Sequence, residues 1–128
     1  MTETPTSRRQ ALSDLTDRFV AAFNRQDLEA VMSFFADDAV YRDAYGKTHE
    51  GTAAIRKAFE PVVGGRLGKI RFSGEDRFID AAAGKVMDSW TLAMHMGEGA
   101  DKESAMLGLD LLHFDGDRLV RKTTYRRG

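Results

Sequence analysis

Residues 34–51 read FFADDAVYRDAYGKTHEG, and this stretch contains the change from helix to strand on which the fold depends. A strand is predicted over residues 39–43. In an extended segment the side chains of Tyr41, Asp43 and Tyr45 lie on one face. An acidic group between two aromatic rings is a candidate for chemistry, so Asp43 is the first candidate catalytic residue.

Three helices are predicted around this stretch, because apolar residues recur there at steps of three and four. The first begins at Thr6 or Ser7, after a polar tail over residues 1–6 that we expect to be disordered. The second is capped by Asp27, and the third begins at Gly51 and is closed by Pro61 and Gly64-Gly65.

After the third helix the apolar period becomes two, which is typical of strands. The predicted strands cover residues 66–80, 85–96, 104–114 and 118–126, with a loop over residues 97–102. Helices followed by strands predict an α+β fold. We expect one domain over residues 7–128, in which a curved antiparallel sheet with three helices on one face encloses a conical cavity.

The composition narrows the range of functions. The 128 residues suffice for one domain, and a net charge of −1 gives no general attraction to nucleic acid or to a membrane. The absence of cysteine excludes disulfides and thiolate metal sites. With no long apolar run, these features predict a cytoplasmic protein that acts on a small molecule.

The three histidines do not predict a metal site. His49, His95 and His113 lack the spacing of a metal-ligand motif, and His49 is expected on a surface loop. The glycines form no pattern for binding a dinucleotide or a phosphate. We therefore expect neither a metal nor a cofactor.

Two further aspartates lie among apolar residues of the predicted strands. Asp110 lies mid-strand in SAMLGLDLLHF, and Asp88 lies in KVMDSWTLAMHM on the strand before it. A buried carboxylate must be paired or protonated. Asp110 therefore either holds its proton or forms a salt bridge with Lys122 or Arg121, and we expect it diagonally across from Asp88.

The remaining candidates are apolar residues that face inward. Trp90 shares a strand face with Asp88, and Met106 shares one with Asp110. Phe19 and Phe59 fall at helical spacing, which is typical of core packing first and of a cavity wall second. With Tyr41 and Asp88, these residues are the predicted substrate-binding set.

The runs ADDAVYRDAYG and EGTAAIRKAFE resemble a segment of the bacterial ketosteroid isomerases, which are small members of the NTF2-like (SnoaL-like) superfamily. RFVAAFNRQDLEAV and LDLLHFD extend the resemblance over most of the chain. The resemblance implies the same α+β cone. It also implies that Asp43 is a general base and that Asp110 is a protonated acid that donates a hydrogen bond to an oxyanion.

The chain also departs from the isomerases. Phenylalanine stands at residue 19, where the family has its oxyanion tyrosine, and at residues 35 and 59, where it has supporting tyrosines. The resemblance implies acid/base proton transfer on a carbon acid or an enol, by an isomerase, cyclase or dehydratase, and with these departures the reaction need not be steroid isomerisation. The alternative is a non-catalytic domain for ligand binding or assembly.

An exposed apolar face is also predicted. Leu107, Leu109 and Leu111 alternate with the inward residues of their strand and lie on its outer face. This pattern, like the resemblance, predicts a homodimer through the outer face of the sheet.

Overall fold

The computed structural model describes residues 5–65, 68–95 and 103–127, which form three helices and six strands. The helices are α1 (Pro5–Asn24), α2 (Leu28–Met32) and α3 (Thr52–Val63). The strands are β1 (Phe35–Arg42), β2 (Thr48–Glu50), β3 (Lys69–Asp80), β4 (Lys85–His95), β5 (Glu103–Asp115) and β6 (Arg118–Arg127). In this part of the chain no helix combines the length and the apolar character needed to cross a membrane.

The strands form one sheet in the order β2-β1-β6-β5-β4-β3. The predicted α+β architecture, a curved open sheet with helices packed on it, is confirmed. One pair of strands differs from the all-antiparallel prediction, because β1 and β6 run parallel. A parallel pair needs a long connection between its strands, and here most of the chain lies between β1 and β6.

Several element boundaries differ from the prediction. Strand β1 begins earlier than expected and ends at Arg42, so Asp43 lies just beyond it. The short strand β2 was not predicted, and it pairs His49 with Tyr41. Helix α3 continues through Pro61 and ends at Val63 with Gly64 as its C-cap, because a proline near the last turn removes only one hydrogen bond.

Some predictions fall partly or wholly on residues outside the described ranges. Of the predicted tail, residues 1–4 lie outside, and helix α1 begins at Pro5. The predicted loop over residues 97–102 also lies outside. Strand β3 begins at Lys69, three residues after the predicted start.

The core lies between the helices and the inner face of the sheet. Phe19 of α1 is 2% exposed and makes edge contacts with three other phenylalanine rings, at centroid distances of 5.1 to 5.7 Å. Asn24, at the end of α1, donates to the carbonyl of Phe72 and accepts from its amide. The two hydrogen bonds of Asn24 hold the end of α1 against β3.

Leu119 provides a test of this core. It is fully buried on β6, between Phe35 of β1 and Phe114 of β5. We expect Leu119→Ala to lower the free energy of unfolding by about 2–5 kcal/mol, because the cavity it leaves cannot close fully. The half-buried neighbour Val120 is the control, with a loss of about 1 kcal/mol or less for Val120→Ala in denaturant unfolding. Equal losses for the two variants would contradict the described packing.

Candidate functional site

A cavity of about 430 Å³ lies between the helices and the inner face of the sheet. Seven of the eight candidate residues line it, namely Phe19, Tyr41, Asp43, Phe59, Trp90, Met106 and Asp110. Lys122, which the sequence offered only as a partner of Asp110, also lines it, together with His49 and Thr124, which were not predicted there. The predicted cavity residues are therefore largely brought together around one space.

Asp43 lies in the turn after β1, where Gly46 adopts a positive φ. Its Oδ1 accepts hydrogen bonds from the amides of Tyr45 and Lys47, at 2.9 and 3.0 Å. Burial by itself would raise the pKa of this carboxyl, but these hydrogen bonds and one from His49 lower it below its ordinary value. Asp43 is thus an ionised, oriented carboxylate, and its lowered pKa makes it a weak base.

His49 is the main residue that the sequence prediction misplaced. It lies on β2 opposite Tyr41, and its Nε2 is 3.0 Å from Oδ2 of Asp43. Its side chain is only 14% exposed, and the ring stacks on Tyr41 at a centroid distance of 5.4 Å. Because an ionised carboxylate can only accept a hydrogen bond, Nε2 of His49 carries a proton and donates it to Asp43.

Lys122 is a buried cation in the cavity wall. Its ammonium donates to Thr124 Oγ1 at 2.7 Å and forms an ion pair with Oδ1 of Asp110 at 3.2 Å. It also lies 4.5 Å from the centre of the Tyr41 ring, within the range of a cation–π contact. Burial is the largest influence and would lower the pKa of Lys122, but the charge of Asp110, with smaller effects from Tyr41 and Asp43, raises it.

Asp110 has a different environment from the one that the resemblance implies. Oδ1 accepts from Thr124 at 2.6 Å as well as pairing with Lys122, and Oδ2 accepts from Trp90 Nε1 at 3.1 Å. A set of donors of this kind suits a carboxylate and not a protonated acid. Of the two cations left open by the sequence, Lys122 is the partner and Arg121 is not.

Asp88 is not among the described residues that line the cavity. It lies directly opposite Asp110 in the β4–β5 register, not diagonally as expected. Its Oδ1 accepts from Arg77 Nε at 2.8 Å, and Arg77 also binds Asp17 and Ser13 of α1. Burial and the nearby charge of Asp110 raise the pKa of Asp88, and Arg77 only partly offsets them. Asp88 therefore joins the sheet to α1 and does not reach the cavity.

The described residues contain no group of three or more acidic or histidine side chains that could hold a metal ion. Phenylalanines at residues 19, 23, 59 and 72 form much of the aromatic wall. The phenol groups that line the cavity are therefore those of Tyr41 and Tyr45. Beside these two phenols, the polar groups of the lining that could take part in chemistry include Lys122, His49 and Asp43.

Gly108 is needed for the position of Trp90. The two residues face each other on β5 and β4, and a Cβ at residue 108 would lie 2.6 Å from the Trp90 ring and 2.6 Å from the Tyr125 carbonyl. A side chain there would displace the indole that donates to Asp110. Gly108 therefore allows Trp90 to lie across β5 and to hold Asp110.

We expect Gly108→Ala to break the hydrogen bond between Trp90 and Asp110 and to lower the free energy of unfolding by about 1–3 kcal/mol. Trp90 is the only tryptophan, so its fluorescence spectrum reports the displacement directly. The control is Gly74→Ala, where a Cβ meets no atom within 4 Å. Wild-type fluorescence and stability in Gly108→Ala would show that the ring does not depend on the glycine.

The sequence matches the family model of the SnoaL-like domain over residues 16–122. This range begins in α1 and ends at Lys122 in β6, so it contains the cavity residues described above except Thr124. The match covers well over half of the chain.

Solved structures with the same fold include a protein of ketosteroid isomerase-like fold from Catenulispora acidiphila, in complex with trimethylamine. It is 19% identical, with 88% of this chain and 84% of that chain covered and a TM-score of 0.74. A candidate SnoaL-like polyketide cyclase from Shewanella denitrificans is 18% identical, with 91% and 90% covered and a TM-score of 0.76. TerC, co-crystallised with polyporic acid, is 16% identical, with 91% and 92% covered and a TM-score of 0.73. At these identities the likeness establishes the fold.

Proposed function

The chain belongs to the SnoaL-like domain family, and on that premise we propose that it is a small-molecule enzyme that transfers a proton at a carbon next to a carbonyl or enol group. An isomerase, a cyclase and a dehydratase all use this step. The observation that carries the proposal is the pair of Asp43 and His49, joined at 3.0 Å at the wall of an aromatic cavity. A base oriented by a second group is the usual arrangement for proton abstraction.

In this proposal His49 moves the proton and Asp43 orients it. The Nε2–H of His49 is held by Asp43, so Nδ1 accepts the proton from carbon and later returns it. The carboxylate stabilises the imidazolium that forms in between. The family resemblance gave the role of general base to Asp43 itself. The lowered pKa of Asp43 makes this carboxylate a weak base, which favours His49 in that role.

Lys122 takes the role that the resemblance gave to Asp110. Negative charge develops on the carbonyl oxygen of the substrate as the proton leaves. A fixed cation that is buried in the cavity wall, as Lys122 is, stabilises that charge strongly. Asp110 and Thr124 hold the ammonium in place. Tyr41, Trp90, Phe19, Phe59 and Met106 are proposed to contact the substrate, and Asp88 is not.

We expect His49→Asn to lower the rate of proton transfer about 10²–10⁴-fold, since this is the usual contribution of a positioned acid/base group. The probe is a β,γ-unsaturated cyclohexenone in deuterated buffer. Its conversion to the conjugated isomer is followed by ultraviolet absorbance, and deuterium uptake is followed by NMR.

His113→Asn, a change on the outer face of the sheet, is the matched control and should keep the wild-type rate. An undiminished rate in His49→Asn would exclude the proposed role of His49.

A second function, ligand binding without catalysis, is favoured by one observation. Asp110 is paired with Lys122 and has no proton to donate, and such an ion pair also suits a wall that only binds. The same probe separates the two functions. Binding of the ketone by calorimetry, without deuterium uptake by the wild-type protein, would support the binding function.

We also propose a homodimer through the outer face of the sheet. Phe78 and Tyr125 are 61% and 52% exposed there, and Leu107 and Leu111 are 38% and 37% exposed. Exposed apolar side chains on adjacent strands form a patch of the kind that interfaces cover. The cytoplasmic location predicted from composition remains a prediction.

Sedimentation velocity at micromolar concentration tests this assembly. We expect a dimer for the wild type and a monomer for Leu107→Glu/Leu111→Glu, because two carboxylates would be buried at the interface. Thr48→Glu, at an exposed position of the edge strand β2, should remain dimeric. A monomeric wild type at this concentration would rule out the assembly.

A further inference from the structure

The charges on the cavity wall are not balanced. Three lysines, Lys47, Lys57 and Lys122, line the cavity together with two aspartates, Asp43 and Asp110. With His49 neutral, the lining carries one positive charge, although the whole chain has a net charge of −1. A neutral ligand would leave this positive charge uncompensated, whereas a monoanion would neutralise it.

Inside the cavity, the charge that remains accessible to a ligand is the positive charge of Lys122 and not the negative charge of Asp110. The two oxygens of Asp110 are occupied by Trp90, Thr124 and Lys122, so its negative charge is largely covered. The ammonium of Lys122 has three N–H groups, with Thr124 and Asp110 as its two polar partners. One N–H group therefore remains on the side of the aromatic rings.

Exposed Lys47 and Lys57 lie at the open end of the cavity, where no described carboxylate forms a salt bridge with either. A cavity with cations at its entrance raises the local concentration of anions and their rate of entry. The wall between this entrance and Lys122 is aromatic, with Tyr41 and Phe59 4.7 Å apart. Both features favour a flat organic anion over a compact inorganic one.

We propose that the cavity binds a flat, conjugated organic monoanion, a carboxylate or an enolate, whose oxygen is held by Lys122. The inference rests on the proposed function, because the conjugated carbon of the anion then faces the pair of Asp43 and His49. Lys122 and His49 flank Tyr41 in the sheet, 4.5 and 5.4 Å from the centre of its ring, and both line the same cavity.

Three ligands of the same shape test the preference for an anion by titration calorimetry. These are cinnamate, cinnamyl alcohol and cinnamylamine, which share the phenylpropenyl skeleton and carry an anionic, a neutral and a cationic head group. A hydrogen bond to a charged group contributes about 1.5–3 kcal/mol, so we expect cinnamate to bind roughly 10- to 100-fold more tightly than the alcohol. The amine should bind most weakly, and equal affinities for the three would overturn the inference.

Two variants move the affinity in opposite directions. Asp110→Asn keeps Lys122 but removes its counter-charge, so cinnamate should bind more tightly than to the wild type. Lys122→Met/Asp110→Asn removes both charges without leaving one buried and unpaired, so the preference for cinnamate over the alcohol should disappear. Partial unfolding can lower an affinity but cannot produce the first result. Lys85→Met, on the outer face, should change neither affinity.

The two kinds of anion are distinguished with benzoylacetone, which ionises as an enol. Appearance of its enolate absorption on binding, at a pH at which the free compound is neutral, would identify an enolate site. Binding of cinnamate with no such absorption would identify a carboxylate site. Failure of both anions to bind better than cinnamyl alcohol would overturn the inference.

The inference and the proposed function can fail separately. In His49→Asn the preference for cinnamate should persist, because Lys122 is unchanged, while deuterium uptake by the ketone probe is lost. A preference for cinnamate without deuterium uptake by the wild type would support the binding site and overturn the catalytic proposal. Deuterium uptake that depends on His49, without a preference for cinnamate, would support the catalytic proposal and overturn the anion site.

Discussion

A buried ion pair between Lys122 and Asp110 is the interaction on which the cavity depends. The side chain of Lys122 is 6% exposed and that of Asp110 is 14% exposed, so neither charge is well solvated. Removing ions from water costs several kcal/mol for each, and the pair is tolerated only because further hydrogen bonds satisfy it. Thr124 and Trp90 supply these bonds, and Gly108 gives Trp90 the space to do so.

The sheet register brings the polar groups together in two adjacent rows. One row runs from His49 through Tyr41 to Lys122 across β2, β1 and β6. The other runs from Thr124 through Asp110 and Asp88 to Arg77, across β6, β5, β4 and β3. Each of the two facing aspartates has its own cation. Asp110 pairs with Lys122 at the cavity, and Asp88 pairs with Arg77 of β3, which also contacts α1. The division separates the candidate site from a network that joins the sheet to α1, although the two carboxylates are neighbours.

The fold and most of the cavity wall could be predicted from the sequence because both depend on local periodicity. Helical spacing placed Phe19 and Phe59 inward, and period-two spacing did the same for Trp90 and Asp110. The position of His49 at the cavity could not be predicted, because the three-residue strand β2 is too short to show a period and forms only by pairing with β1. The choice of Lys122 over Arg121 depended on the register between β5 and β6, which shifts between His113 and Phe114. Local sequence carries little information about such irregularities.

A double-mutant cycle between Lys122 and Asp110 tests most directly whether their interaction maintains the cavity. The free energy of unfolding is measured for Lys122→Met, for Asp110→Asn and for the double variant. Lys122→Met alone should lose about 3–5 kcal/mol, because it leaves a buried carboxylate unpaired. The double variant should lose less than the sum of the two single losses by more than about 1 kcal/mol. Losses that add within about 0.5 kcal/mol would show that the two residues act independently, and would contradict the account.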